Sequence, residues 1–183
     1  MRQPLIRLFI LCTPFLFSQN PLLAQDPTPF AYSIQKTAFV THGAVVSAHP
    51  LATYAGLTML RQGGNAFDAA IATQFALAVV YPGAGNIGGG GFMVAHLANG
   101  KNGDGKNIAL DFREKAPAAA TRDMYLDSAG NARTDLSQNG HLASGIPGTV
   151  AGIFEELRYA KLPIAKLIQP AIDLAQKGFV ISE

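Results

Sequence analysis

Four consecutive residues, Asp111-Phe112-Arg113-Glu114, set two carboxyl side chains around one guanidinium. The residues before them, Ile108–Phe112, have the pattern of a strand, so Arg113 falls at a strand end. A guanidinium there can point into a cleft and take a carboxylate by two parallel hydrogen bonds. Asp111 and Glu114 would then orient it. The same string also reads as a solvated, charged strand end, and on these four residues alone both readings stay open.

The other candidates are weaker. Gly85–Gly91 reads GNIGGGG, but it follows a helical pattern and precedes a strand. A phosphate-binding loop has the reverse order and ends in Gly-Lys-Ser/Thr. Backbone that lets chain segments approach closely is the better reading of this run. His42, His49, His96 and His141 have no metal-ligand spacing, so no metal site is expected. No G-x-S-x-G elbow is present.

Regular elements must position these residues. Ala38–Ala48, with Val40, Val45 and Val46, suggests a short strand. Pro50 suits the first turn of a helix running to Arg61, which Gly63-Gly64 would stop. Asn65 is a good N-cap for a second helix, and Asp68 stands three residues on, as in a capping box. Ala66–Val80 is apolar or small on nearly every side, which predicts burial all round. Its alanines would allow close packing on a sheet. Pro82-Gly83 ends it. Phe92–Ala98 and Ile108–Phe112 form a hairpin across an Asn/Gly/Asp-rich loop. Glu114–Ser144 is polar and irregular, and Gly145–Gly148 is a Pro-containing turn. Thr149–Ala160 is a helix with Val150, Ile153, Phe154 and Leu157 on its inner side. Leu162–Lys177 is helical again, kinked or restarted at Pro170 and closed by Gly178.

The 183 residues are enough for one domain with a real core, and with 49% hydrophobic and 14% charged residues they do not form a disordered tail. The start is an export signal: Arg2 and Arg7, the apolar Leu8–Phe17, then a more polar stretch to Ala24. A membrane span needs ~20 apolar residues, more than this stretch offers, so no stable membrane span is expected. Removing residues 1–24 takes away two arginines and the single cysteine, Cys12. The 14 basic and 12 acidic residues then become 12 and 12, and no basic patch with interleaved aromatics argues for nucleic acid. Residues 25–37 are a flexible, Pro-containing lead-in, and 38–183 is the folded part.

Three strings taken together resemble the γ-glutamyltranspeptidase family: QGGNAFDAAIATQFALAVVYPGAGNIGGGGFM (Gln62–Met93), DFREKAP (Asp111–Pro117) and GHLASGIPGTVAGIFEEL (Gly140–Leu157). The resemblance implies an α/β (α+β) chain, an incomplete portion of the αββα sandwich of N-terminal-nucleophile hydrolases. It implies a precursor that cuts itself into a large and a small subunit. The new N-terminal threonine of the small subunit attacks a γ-glutamyl amide such as that of glutathione and passes the acyl group to water, an amino acid or a peptide, with no cofactor. Arg113 matches the arginine that holds the α-carboxylate of the glutamyl group. No threonine of this sequence sits in the family's autoprocessing motif. The catalytic residues are therefore expected outside this chain, which is expected to be the N-terminal part of the large subunit and inactive by itself. A cephalosporin acylase of the same superfamily and a catalytically inactive secreted fragment are the alternative expectations.

The export pattern gives a direct test. N-terminal sequencing of protein recovered from the cell envelope is expected to start near Gln25. Soluble cytoplasmic protein still carrying Met1 would refute the signal reading.

Overall fold

The computed structural model describes residues 39–98 and 105–181, all within the compact unit Ala38–Glu183. The export segment, the lead-in and most of the hairpin loop lie outside the described residues.

Helix α1, Pro50–Arg61, starts where its proline and cap place it. His49 is extended and its Nδ1 accepts the Leu51 N–H at 3.2 Å. The end is a Schellman motif: Gly63 adopts φ +87°, its N–H reaches Leu60 O, and the Gly64 N–H reaches Met59 O at 2.9 Å. The next residue begins α2, Ala66–Val80, through the full capping box that its sequence announces. Asn65 Oδ1 accepts from the Phe67 and Asp68 N–H groups, while Asp68 Oδ2 accepts from Asn65 N–H at 2.6 Å.

No residue from Phe67 to Val80 is exposed, as expected of a helix apolar or small on nearly every side. The covering layer is helical rather than a sheet. Helix α1 lies across α2 on small residues, and a Cβ at Gly56 would overlap the Thr73 hydroxyl and lie 3.0 Å from Ala69 O. Helix α5, Ile164–Lys177, packs on α2 from another side. It passes through Pro170 as one helix and ends at Gly178, φ +76°. Two apolar clusters result. One gathers Met59, Ile71, Ala72, Ile153 and Leu167, and the other Ala52, Ala55, Ala76 and Val80 with Leu174 and Phe179 against them.

Strands β1, Phe92–Leu97, and β2, Lys106–Asp111, pair antiparallel, with Phe92 opposite Asp111 and Leu97 opposite Lys106. One hairpin face, including Met93, Ala95, Ile108 and Leu110, is half-buried. The other shows Phe92 and Val94 to solvent. The expected strand over Ala38–Ala48 does not form among the described residues. A strand needs a ladder partner, and no described strand runs beside this segment. The polar region after Glu114 is irregular apart from a short helix, α3, Thr134–Gln138, and a 3-10 turn at His141–Ala143. Gly145–Gly148 is not a turn. Ile146 is extended and exchanges two backbone hydrogen bonds with Lys115.

Helix α4, Thr149–Glu156, is shorter than its pattern suggests and passes into a 3-10 turn, Leu157–Tyr159. Its inner face also differs. Thr149, Gly152, Ile153 and Glu156 are buried, whereas Val150 and Phe154 are 41% and 60% exposed. Ile153 and Leu157 pack in the core as the hydrophobic pattern predicts, Val150 and Phe154 do not, and Gly152 faces the Phe112 ring. Among the described residues no helix is long and apolar enough to cross a membrane.

Asp68 joins distant parts of this scaffold. It is fully buried, and its carboxyl also accepts the backbone N–H groups of Lys161, at 3.1 Å, and Leu162, at 2.8 Å. Asp68→Ala would leave three backbone donors without this acceptor, at about 1–3 kcal/mol for each that stays dry. Urea unfolding is expected to show a loss of about 3 kcal/mol or more, with Asp68→Asn in between. A midpoint unchanged in Asp68→Ala would show that water or backbone adjustment satisfies these donors.

Candidate functional site

The Asp111–Glu114 string leaves the hairpin held on both sides. Before Arg113, the Phe112 N–H donates to Gly91 O at 3.0 Å. After it, Lys115 and Ile146 exchange N–H···O bonds of 3.1 and 2.7 Å. Across the gap, the Gly148 and Thr149 N–H groups both donate to Gly89 O, at 2.8 and 3.1 Å. The glycine-rich run, the strand end and the start of α4 thus meet with their backbones in contact.

Only glycine permits this. A Cβ on Gly90 would lie 2.7 Å from the Arg113 carbonyl carbon and 2.6 Å from Glu114 Oε2. One on Gly148 would overlap the Phe112 carbonyl. Cβ atoms on Gly91 and Gly152 would both overlap the Phe112 ring, 2.7 Å from Cε2 and 2.6 Å from Cδ2 respectively. These distances are below any ordinary van der Waals contact. The close-approach reading of GNIGGGG is therefore the one the structure bears out.

Arg113 emerges from this slot. Its side chain is 66% exposed, and its Nε lies 3.7 Å from Glu114 Oε1. An ion pair that open to water contributes little, so the guanidinium is available to another carboxylate. Glu114 accompanies the guanidinium as its acidic neighbour. Asp111 does something else: its Oδ1 accepts the Arg113 backbone N–H at 3.0 Å and so fixes the main chain, not the guanidinium. A cleft of about 270 Å³ opens here, lined by Asp111, Arg113, Lys115, Ile146, Pro147 and Glu155 among others. The larger cleft, about 1000 Å³, lies between residues 42–47 and helices α1 and α2. None of Asp111–Glu114 lines it, and its walls are mostly small and apolar.

The histidines do local work. His49 caps α1, and His96 Nδ1 pairs with Asn107 Oδ1 at 2.7 Å across the hairpin. No group of three metal-binding side chains occurs among the described residues. The importance of Phe112, Gly148 and Gly152 is not visible in the string itself. The available signal is Gly148 and Gly152 at a one-turn spacing opposite four consecutive glycines, Gly88–Gly91.

The γ-glutamyltranspeptidase family profile matches residues 52–183. The chain belongs to the γ-glutamyltranspeptidase family. It is 48% identical over 165 residues to the glutathione hydrolase proenzyme of Escherichia coli K12, covering 87% of this chain and 28% of that protein. It superposes on the crystal structure of Helicobacter pylori γ-glutamyltranspeptidase with a TM-score of 0.74 and 53% identity, covering 80% of this chain and 41% of that one. It is also 41% identical over 155 residues to the acylase ACY 1 proenzyme of Pseudomonas sp. V22, covering 81% of this chain and 27% of that protein. The chain thus spans under a third of the length of these curated relatives. The mixed helix and strand architecture is the fold class the motifs imply.

In this member of the γ-glutamyltranspeptidase family, α4 links the slot to the core. Its start abuts Phe112, and at its end Glu156 is 1% exposed and accepts from Gln74 Nε2 of α2 at 2.8 Å. Burial pushes the Glu156 carboxyl above the usual carboxylate range, and the Gln74 hydrogen bond offsets this only in part. A folded-state value above the unfolded one means that the folded chain holds the proton more tightly. This contribution to stability is full below the unfolded value and is lost as pH rises through the folded one. Glu156→Gln keeps an acceptor for Gln74 and removes the titration. Against wild type it is expected to gain stability as pH rises from about 4 to 7, measured by urea midpoints across that range. Parallel curves for the two proteins would show that Glu156 does not carry the effect.

Proposed function

We propose that this chain is the front of the large subunit of a γ-glutamyltransferase and glutathione hydrolase, and that Arg113 holds the α-carboxylate of the γ-glutamyl group. The observation that carries this reading is the guanidinium itself: largely exposed, at the rim of a cleft, on a main chain tied at Asp111, Gly91 and Ile146. A rigid base under a planar fork suits two-point recognition of a carboxylate. The membership of the chain in the γ-glutamyltranspeptidase family supports the substrate class.

In this reading the chain binds and orients substrate and does not itself attack it. The attacking group is the N-terminal threonine of the small subunit cut from the same precursor, with its terminal amine as base. It displaces the amine of the γ-glutamyl amide and forms an acyl-enzyme. Water then releases glutamate, or an amino acid or peptide takes the acyl group. The reaction requires no cofactor. The export pattern at residues 1–24 puts the mature enzyme in the periplasm or outside the cell. The match to an acylase proenzyme keeps a second reading in view, in which a different side-chain amide is cut. A guanidinium clamp for an amino-acid carboxylate favours the glutamyl substrate over it.

The test uses the full precursor, expressed and processed. Charge-assisted hydrogen bonds contribute roughly 1.5–3 kcal/mol each. Arg113→Ala is therefore expected to lower kcat/KM for a γ-glutamyl anilide by about tenfold or more, at ~1.4 kcal/mol per decade. Arg113→Lys, which keeps the charge but not the fork, is expected to be less impaired. Autoprocessing is expected to continue in both. On an analogue without the α-carboxylate, wild type is expected to lose activity and Arg113→Ala to lose little more. Normal processing with wild-type kcat/KM in Arg113→Ala would return Arg113 to a solvated strand end.

A further inference from the structure

We infer that Phe112 is a positioning residue for substrate binding: its ring, wedged into the glycine slot, sets the direction in which Arg113 leaves the backbone. This rests on the reading of Arg113 as the carboxylate clamp. Three observations point the same way. The ring is half-buried and meets Gly91 at its outer atoms and Gly152 at its Cγ and Cδ atoms, with no room for a single added carbon at either glycine. Its own carbonyl is in contact with Gly148, and its N–H is bonded to Gly91 O. The adjoining guanidinium has no comparable packing, since Arg113 is 66% exposed and its acidic neighbour Glu114 is 42% exposed. The stiffness of the site therefore lies in residue 112 and the aim in residue 113. The main-chain tie from Asp111 Oδ1 to the Arg113 N–H completes the hold.

The chemistry gives this role a distinct signature. A carboxylate contact is made in the bound substrate and in the transition state alike, so loosening it weakens binding more than turnover. A merely structural residue would instead lower the yield of processed enzyme or reduce kcat.

A double-mutant cycle in the full, processed enzyme decides it. Phe112→Ala is expected to raise KM for a γ-glutamyl anilide about fivefold while kcat stays within about twofold. Phe112→Leu, which keeps much of the bulk, is expected to recover most of that loss. Gly152→Ala, whose Cβ would displace the ring at its Cγ and Cδ atoms, is expected to raise KM as well. In an Arg113→Ala background, Phe112→Ala is expected to change KM by less than about twofold, because the group it positions is gone. Raised KM in Arg113→Ala with additive losses in the double variant would overturn the role of Phe112 and leave the clamp standing. Unchanged KM in Phe112→Ala, or an effect confined to kcat, would also overturn it. Wild-type kcat/KM in Arg113→Ala would overturn the clamp and this inference together, and a loss there confined to kcat would overturn this inference alone.

Discussion

The buried carboxyl of Asp68 carries more of the architecture than any other single group. Three backbone N–H groups, of Asn65, Lys161 and Leu162, donate to it, that of Lys161 shared between its two oxygens. A helix N-terminus leaves its first N–H groups unpaired, and an acid in the first turn suits the dipole there. Here the same acid also serves a chain segment more than ninety residues away in sequence. The Asn65 amide strengthens that junction by donating to Tyr159 O at 2.7 Å, and Phe67 stacks on Tyr159 at 4.9 Å between centroids. The start of α2 and the turn between α4 and α5 are thereby one structural unit.

That unit fixes where α4 can lie, and α4 in turn fixes the slot. One end is tied to α2 by Ile153 in the core and by Glu156 with Gln74. The other end presents Gly148 and Gly152 to Phe112. A buried acid beside a single amide is an unfavourable place for charge, but it constrains the rotation of α4 about its axis. Rotating the helix to bury Val150 and Phe154, as simple amphipathicity suggests, would bring larger side chains against the Phe112 ring. Ile153 and Leu157 keep to the hydrophobic pattern of the helix, and Gly152 leaves room for the ring.

Local signals were legible in the sequence, and long-range ones were not. Pro50, the Gly63-Gly64 stop, the Asn65/Asp68 capping box and the β1–β2 hairpin each follow from residues within a few positions of one another. Arg113 stood out as a strand-end guanidinium, and it is among the residues lining an open cleft of about 270 Å³. By contrast, the partners of Asp68 at Lys161 and Leu162, and of Lys115 at Ile146, are set by tertiary contact and leave no local mark. Val45 and Val46 have strand propensity, yet propensity without a neighbouring strand does not make a ladder. The role of Asp111 was half legible: its proximity to Arg113 was plain, but whether it serves the guanidinium or the main chain depends on backbone geometry.

The arrangement separates the direction of recognition from its strength. If Arg113 holds a substrate carboxylate as proposed, the Coulomb attraction is weak while the guanidinium stands in water and grows as water is excluded. What this part of the chain supplies is a main chain tied in place around Arg113 by backbone hydrogen bonds and close packing. Glycine at five positions around residues 112–115 (Gly90, Gly91, Gly145, Gly148 and Gly152) removes the side-chain bulk that would hold the strands apart. The backbone hydrogen bonds then lock the approach. Preorganised groups of this kind help both binding and catalysis because no free energy is spent on alignment. The parts are thus mutually consistent: the apolar helices form the platform, the glycines bring three segments to one point, and the Arg113 guanidinium is left largely uncovered above them.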